Sequence, residues 1–342
     1  MTHKPNILLI YTGGTIGMIK DSKTGILRNF NFDNLLEHIP ELNLLDCSIG
    51  SQSFTIPIDS SNMNPNYWVE LANIIEDNYD AFDGFVVLHG SDTMSYTASA
   101  LSFMFENLDK PIIFTGSQLP IGDLRTDAKE NLITSIQIAA LRENGKPKVN
   151  EVGLYFEYKL YRANRTTKLT AEHFKAFSSP NYPPLAQSGV HLIFNEQALL
   201  KHKRGNKLKV HKNFETNILL VKMFPGINEE TITHLFSCPN IKGLILETYG
   251  SGNVTNESWF MEQLKLIHEK EVPIINVTQC SGGSVAMGPY ETSVGLKKLG
   301  VISGKDITTE AALAKLMYLL GQQIPSSRFK SLFETSLRGE MV

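Results

Sequence analysis

The feature that most constrains the fold is a recurring unit, in which a short apolar run ends in glycine plus hydroxyl or amide side chains. Five runs have this form: 7–11, 84–88, 111–114, 244–246 and 273–277. Short continuous apolar runs are typical of buried strands in a parallel sheet. Helical segments follow several of them, and this alternation predicts an α/β fold with mainly parallel sheets and right-handed crossovers.

Apolar residues at helical spacing indicate several helices between the strands. Two such faces are read directly from the sequence: Trp68, Leu71, Ala72 and Ile75, and then Leu124, Ala128, Leu132 and Ile136. Further helices are predicted near 256–268 and 308–320, with a helical tail over 325–338. Segments 152–155 and 158–161 are predicted to form a pair of strands.

The length of 342 residues favours two domains. The basic segment 201–212, KHKRGNKLKVHK, interrupts the alternation of strands and helices. On a slightly acidic chain, such a run is more typical of a solvated linker than of a polyanion site. The sequence therefore predicts a larger N-terminal α/β domain over 1–190 that carries the candidate catalytic motifs. A linker over 191–216 and a smaller C-terminal α/β domain over 217–342 are predicted to follow.

Charge and cysteine usage exclude several classes of protein. The formal net charge of −3 gives no reason to expect a nucleic-acid or membrane partner. Cys47, Cys238 and Cys280 are widely separated, which argues against a disulfide framework or a zinc site and favours a reducing compartment. No run reaches membrane-spanning length, and the N-terminus lacks the apolar core of a signal peptide. We therefore expect a cytoplasmic protein.

The stretch Asn6–Met18, NILLIYTGGTIGM, allows three interpretations. It is an ordinary strand-to-helix turn, a glycine-rich cradle for a phosphate, or a sharp turn that presents Thr15 as a nucleophile. Neither the dinucleotide fingerprint nor a P-loop is present. The stretch alone leaves the three open.

Other strand ends carry the groups that acyl transfer needs. Ser91 and Asp92 follow one apolar run, and Lys168 lies in a Thr-Thr-Lys loop. A hydroxyl is a weak nucleophile until a base activates it, and a Lys acts as that base only if its surroundings lower its pKa. Asp92 also suits the N-cap of the following helix. We expect His89 to be a structural residue, and 59–61 has the composition of a helix-entry turn.

Six motifs follow one another over nearly the whole chain: YTGGTIGM at 11–18, DSSNM at 59–63, LHGSDTMSYTASALSFM at 88–104, TGSQ at 115–118, NRTTK at 164–168 and TQCSGG at 278–283. In the same collinear order, they resemble the motifs of the cytosolic, type I bacterial L-asparaginases. The pair TGGTI and HG[TS]D is specific to asparaginase/glutaminase-type amidohydrolases.

The resemblance implies hydrolysis of L-asparagine to L-aspartate and ammonia without a cofactor or metal. It implies a larger N-terminal and a smaller C-terminal α/β domain, with self-association into dimers that often pair as tetramers. By matching motif, Thr15 would be the nucleophile of a double displacement through a β-aspartyl ester, and the second catalytic group would be Ser91, Asp92 and Lys168. The groups that hold the substrate's α-amino and α-carboxylate groups would be Asp59, Ser60, Ser61, Ser91 and Asp92.

Three positions depart from the family pattern. Ser91 replaces the usual Thr and lacks the methyl group that restricts χ1. Relatives often carry a Tyr in the loop after the first motif, where this chain has Ile26, so Thr15 would depend on Lys168 or on another Tyr. Some relatives bind an activating asparagine at a second site, which Thr167, Asn253 and Cys280 match. Glu247 stands in the place of that site's Arg and should repel a carboxylate, which argues against activation.

Two alternatives to a strict asparaginase stay open. An enzyme of mixed asparaginase and glutaminase specificity differs by one methylene in its pocket. A binding module for an amino acid or a nucleotide could use the same glycine turns without chemistry, but it would not require Thr15, Asp92 and Lys168 together.

Overall fold

A computed structural model describes residues 4–20, 27–29, 39–201, 206–288 and 291–342, and the chain divides into two compact units. The units are Met1–Lys212 and Asn213–Val342. Ile26, in the loop after the first motif, lies outside the described residues. Among the residues that are described, no helix is long and apolar enough to cross a membrane.

An eight-stranded sheet organises the first unit. Its strands, numbered along the chain, are β1 Asn6–Gly13, β2 Ser48–Ile58, β3 Gly84–Leu88, β4 Ile112–Thr115, β5 Val152–Phe156, β6 Lys159–Arg162, β7 Ala186–Gln187 and β8 Ile193–Phe194. Their order in the sheet is β8–β7–β6–β5–β4–β3–β1–β2. Strands β1 to β5 pair in parallel, whereas β6, β7 and β8 extend the sheet by antiparallel pairing. The predicted parallel runs and the predicted strand pair are confirmed.

Strand β1 lies between β2 and β3, so its carboxyl end is flanked by the ends of two parallel neighbours. Ile7 faces Gly84 and Tyr11 faces Leu88, in register along the whole pair. All residues of β3 are buried, which is why its sequence is continuously apolar rather than alternating. Loops at the carboxyl ends of such strands form the usual ligand-binding edge of an α/β sheet.

Three α-helices lie in the described part of the first unit: α1 Pro65–Asp77, α2 Met94–Met104 and α3 Ala128–Ala140. The Asn64 side chain caps α1 by accepting the Asn66 N–H, and Pro65 begins the helix, where its missing N–H is harmless. Leu132 and Ile136 of α3 are buried as predicted. Leu124 is fully exposed, because it precedes the helix in the turn where Asp123 N–H donates to Pro120 O.

The second unit contains a parallel four-stranded sheet. Its strands, which lie side by side in chain order, are β9 Ile218–Lys222, β10 Gly243–Thr248, β11 Ile274–Thr278 and β12 Ile302–Ser303. Its helices are α4 Glu229–Phe236, α5 Ser258–Glu269, α6 Glu291–Lys298, α7 Thr309–Gly321 and α8 Ser326–Phe333. The helices predicted near 256–268 and 308–320 are confirmed, and the tail predicted over 325–338 is helical from Ser326 to Phe333 only.

The predicted linker over 191–216 differs from the structure. Ile193–Phe194 is the edge strand β8, and the Leu200 N–H donates to Glu151 Oε1 at 2.8 Å. Lys209–Val210 pairs with Phe105–Glu106 of the first unit. Most of this segment therefore belongs to the first unit, because backbone pairing holds it there despite its polar composition.

Short strand pairs and single helical turns complete the described parts of the chain. The pairs are Met18–Lys20 with Leu27–Asn29, Arg142–Glu143 with Lys146–Pro147, and Thr167–Lys168 with Phe177–Ser178. The 3-10 turns are Thr15–Gly17, Pro40–Leu44, Ser60–Asn62 and Ala163–Arg165.

Candidate active site

Glycines bring three loops at the carboxyl edge of the large sheet into direct contact. A Cβ on Gly13 would lie 2.0 Å from Ile58 O, and one on Gly14 would lie 2.5 Å from the Gly90 Cα. A Cβ on Gly90 would lie 2.5 Å from Ser60 Oγ. Gly13 and Gly14 also have φ values of 126° and 91°, which side-chain-bearing residues rarely adopt. The loops after β1, β2 and β3 thus meet where no side chain fits.

Thr15 begins the single 3-10 turn Thr15–Gly17 and is half-buried. Buried Ile16 and the close packing of Gly17 on the Tyr11 ring hold this turn against β1. The Tyr11 hydroxyl donates to Gly14 O at 3.4 Å, and burial raises the pKa of Tyr11 to about 12. Tyr11 therefore keeps its proton at neutral pH and supports the turn as a donor.

Lys168 connects the loop after β3 to the end of the 163–168 segment. Its Nζ donates to Ser91 Oγ at 2.9 Å and to Asp92 Oδ1 at 2.6 Å. The Lys168 side chain is 17% exposed, whereas that of Asp92 is 63% exposed. The helix α2 is preceded by Thr93, with no side-chain cap, so Asp92 forms an ion pair instead of the predicted N-cap.

Buried neighbours fix the backbone that carries Lys168. Arg165 and Thr166 are 2% and 0% exposed, and Thr166 Oγ1 donates to Ala163 O at 2.7 Å. Ser95 of α2 lies 3.1 Å from the same hydroxyl. The segment before Lys168 is therefore tied to α2, the helix that begins directly after Asp92 and Thr93.

Gln118 is a site residue to which sequence reasoning assigned no role. Its Oε1 accepts a long hydrogen bond from Ser91 Oγ, at 3.4 Å, and its Nε2 donates to Ala171 O and His173 O. Both Asp127 oxygens accept the Gln118 N–H. Its place in the TGSQ block, at the end of a buried strand, was the available signal.

The segment 59–61 is a helix-entry turn, as its composition predicts, and it lies against Gly90. Asp59 Oδ1 accepts the Ser61 N–H at 2.8 Å, and this hydrogen bond lowers the pKa of Asp59. Thr93 Oγ1 donates to Ser60 O at 2.8 Å, which joins this turn to the loop after β3. Asp59 and Ser61 are exposed, so an ionised carboxylate faces solvent beside the contact of the loops.

The three residues that match a second site fall in different units. Thr167 belongs to the first unit, where it pairs with Ser178. In the second unit, Asn253 bridges to Tyr249, and exposed Cys280 donates its N–H to Thr278 Oγ1 at 3.0 Å. Glu247, in the place of the relatives' Arg, accepts from Thr309 Oγ1 at 2.6 Å and pairs with Lys222 at 3.5 Å.

Within the described part of the chain, no group of three or more His, Cys, Asp or Glu side chains could hold a metal ion. The polar groups around the glycine turns are the hydroxyls of Thr15 and Ser91 and the ion pair of Asp92 with Lys168. A hydroxyl beside such a group is suited to nucleophilic attack on a carbonyl, with backbone N–H groups available for the developing oxyanion.

Comparisons with known proteins found two matching family models and several similar proteins. Residues 6–200 match the family model "Asparaginase, N-terminal", and residues 217–333 match "Glutaminase/Asparaginase C-terminal domain". L-asparaginase 1 of Escherichia coli K12 is 41% identical over 341 residues, which cover 99% of this chain and 98% of that protein. The crystal structure of L-asparaginase I from Vibrio cholerae, 41% identical, superposes with a TM-score of 0.90 over 99% of this chain and 100% of that chain.

A mammalian relative carries a different name. The 60 kDa lysophospholipase of Mus musculus is 37% identical over 361 residues, which cover 98% of this chain and 62% of that protein.

Proposed function

This chain belongs to the asparaginase family, and from that premise we propose that it hydrolyses L-asparagine to L-aspartate and ammonia. The observation that carries the proposal is the contact of Gly14 with Gly90. It places the turn of Thr15 next to the loop of Ser91 and Asp92, which Lys168 holds by two hydrogen bonds. The proposed nucleophile and the charged second group thus lie on two loops whose backbones are in contact.

In the first half of the reaction, Thr15 Oγ attacks the side-chain amide carbonyl of asparagine. The hydroxyl proton passes to the group of Lys168, Ser91 and Asp92, in which Lys168 acts as the base in its neutral amine form and becomes the ammonium that pairs with Asp92. Tyr11 is not that base, because burial keeps its hydroxyl protonated and its hydrogen bond is directed to Gly14 O. As the tetrahedral intermediate collapses, the proton taken from Thr15 is delivered to the amide nitrogen, which leaves as ammonia, and a β-aspartyl ester remains on Thr15.

In the second half, water attacks the ester carbonyl, and Thr15 leaves with its proton restored. The two steps together consume one asparagine and one water and yield one aspartate and one ammonia. The same backbone donors and the same base serve both steps, because the two tetrahedral intermediates carry their oxyanion at the same place.

Substrate recognition is assigned to Asp59, Ser60 and Ser61, with Ser91 and Asp92. Asp59 is ionised at neutral pH, since the Ser61 N–H lowers its pKa, and it suits the α-ammonium of an amino acid. The hydroxyls and N–H groups of the serines suit the α-carboxylate. A free amino acid, with both charges, is therefore the ligand that this side of the site fits.

Assembly and location are part of the same proposal. We propose a dimer or tetramer that acts in the cytoplasm, as expected from the resemblance to the type I enzymes. Neither a metal nor a cofactor has a role in the steps above.

Mixed specificity is the second candidate function. The model that matches the C-terminal unit describes glutaminases as well as asparaginases. Glutamine differs from asparagine by one methylene, which a pocket discriminates by only about 1–3 kcal/mol.

Steady-state ammonia release from asparagine and glutamine, over a wide concentration range, tests the proposal. We expect saturable release from asparagine, with kcat/KM about 10-fold or more above that for glutamine. Comparable values would favour mixed specificity. No release from either amide by the folded protein would contradict the proposal and favour a binding module.

A further inference from the structure

His89 is a fully buried residue at the centre of the contacting loops. It follows β3 directly, and its own N–H donates to Thr115 O at 2.9 Å. A Cβ on Gly116 would lie 2.4 Å from His89 O, and the imidazole lies 6.0 Å from the Phe114 ring between centroids. No solvent reaches the side chain, so it cannot exchange a proton with a substrate.

The contacts of the imidazole define its tautomer. Nδ1 lies 2.7 Å from Gly90 O, and since a carbonyl oxygen only accepts, Nδ1 must carry the hydrogen. Burial lowers the pKa of His89 to about 4, so the ring is neutral at pH 7 and Nε2 is a bare acceptor. Among the described residues, Nε2 has no hydrogen-bond partner.

A buried acceptor without a partner destabilises the fold, because its lost hydrogen bonds to water are not replaced. An apolar side chain of similar size would avoid this penalty in the same pocket. The hydrogen bond from Nδ1 to the Gly90 carbonyl is therefore the reason for an imidazole at this buried position.

Holding that carbonyl also orients the next N–H. No cis peptide bond occurs in the described chain, so the Gly90 C=O and the Ser91 N–H point in opposite directions. With the carbonyl directed at buried His89, the Ser91 N–H is directed away from it. Within the described residues no acceptor for this N–H is found. Glycine has the largest backbone freedom of any residue type. The peptide after Gly90 therefore needs the hydrogen bond from His89 to keep one orientation.

We propose that His89 is a positioning residue, whose Nδ1–H fixes the Gly90–Ser91 peptide so that the Ser91 N–H faces the substrate's reacting carbonyl. This rests on the proposed amide hydrolysis. The Ser91 N–H then stabilises the oxyanion that forms when Thr15 attacks, and the neighbouring contact of Gly14 with Gly90 brings the Thr15 turn to the same peptide.

If His89 orients the Gly90–Ser91 peptide, activity depends on where the side-chain N–H of residue 89 lies. If His89 only stabilises the fold, the exact position of that N–H should not matter. In His89→Asn the amide nitrogen occupies the place of Nδ1, whereas in His89→Gln it lies one bond farther from the backbone. His89→Leu removes the donor and leaves an apolar side chain. All three are assayed with the wild type for kcat and KM on asparagine, after circular dichroism and thermal melting establish that each is folded.

We expect His89→Asn to keep kcat within about 5-fold of the wild type, and His89→Leu and His89→Gln to lose about 100-fold, the effect of one misplaced oxyanion donor. KM should change less than 3-fold, since the oxyanion exists only in the transition state. Equal kcat values for Asn and Gln, or a loss confined to KM, would overturn the inference. If His89→Leu does not fold, the Asn and Gln pair decides. An inactive wild type would instead contradict the proposed function.

Discussion

Lys168 Nζ lies 2.9 Å from Ser91 Oγ, although 77 residues separate the two in the chain. The pair joins the loop after one central strand to a segment beyond the parallel part of the sheet. Asp92 accepts from the same ammonium at 2.6 Å, so the three polar groups form one hydrogen-bonded unit. A charge-assisted unit of this kind keeps a flexible Lys side chain in one place.

Replacement of Lys168 tests whether this unit is needed for turnover. Lys168→Met keeps most of the side-chain length but removes the ammonium, so we expect kcat on asparagine to fall by about 10³-fold or more, as for loss of a general base. Lys175→Met is the matched control, because Lys175 is an exposed Lys of the same region, and its activity should stay near wild type. A drop of less than about 5-fold for Lys168→Met would show that Lys168 is not the base.

The carboxylate of Glu247 predicts simple saturation kinetics. Glu247 is hydrogen-bonded to Thr309 and paired with Lys222, and a carboxylate there should repel an activating asparagine. We expect a Hill coefficient of about 1 for the wild type over a wide range of asparagine. Clearly sigmoidal rates would refute this interpretation, and Glu247→Gln would then test whether the charge had any influence.

The buried pair of Lys315 and Glu340 predicts a large effect on stability. Both side chains are fully buried, and the Lys315 ammonium donates to Glu340 and to the carbonyls of Phe333 and Thr335. Lys315→Met leaves a buried carboxylate without its cation, which should lower the free energy of unfolding by about 3–5 kcal/mol. Urea unfolding of the purified protein measures this.

Two comparisons make the stability test specific. Lys315→Met/Glu340→Gln removes both charges and should be more stable than Lys315→Met alone. Lys265→Met, which breaks only an exposed pair with Glu269, should change stability by less than about 1 kcal/mol. Equal stability of the single and double variants would mean that the unpaired charge is not the cause.

His89 predicts that acid destabilises the fold through its imidazole. The pKa in the folded state is about 4, below the ordinary 6.5, because burial disfavours the charged ring. Between these two pKa values the unfolded chain binds a proton at His89 and the folded chain does not. The free energy of unfolding therefore falls as the pH drops from about 6.5 towards 4. The loss is about 3 kcal/mol at most.

Urea unfolding of the wild type and His89→Leu at pH 7 and pH 4.5 measures this contribution. The wild type should lose more free energy of unfolding than the variant, and the difference isolates His89 from the other histidines. Identical losses in both proteins would mean that the imidazole titrates normally.

Much of the fold follows from local sequence. The buried strands β1, β3 and β4 are predicted because both of their faces are covered, which requires continuous apolar runs. The linker predicted from the basic segment 201–212 also includes Ile193–Phe194, since a two-residue edge strand leaves too little pattern to be recognised and its pairing with Ala186–Gln187 is decided by tertiary contacts. Leu124 was placed on a helix by spacing alone, but the turn before Ala128 excludes it.

The site was only partly accessible from the sequence. Thr15, Ser91 and Asp92 could be proposed because glycine turns follow buried strands and match a family pattern. The contact of Lys168 with Ser91 could not be derived from spacing, since it depends on how distant loops meet. The side chains of Gln118 and His89 reach backbone carbonyls, and the sequence does not show which carbonyl each side chain contacts.

Ammonia release by Thr15→Ala is the most direct test of the central assignment. The variant should fold normally and bind asparagine, yet release ammonia at least about 10⁴-fold more slowly than the wild type, because loss of a nucleophile removes the covalent route. Thr15→Ser, which keeps the hydroxyl, should retain measurable turnover. Ammonia release by folded Thr15→Ala at a rate near that of the wild type would contradict the account.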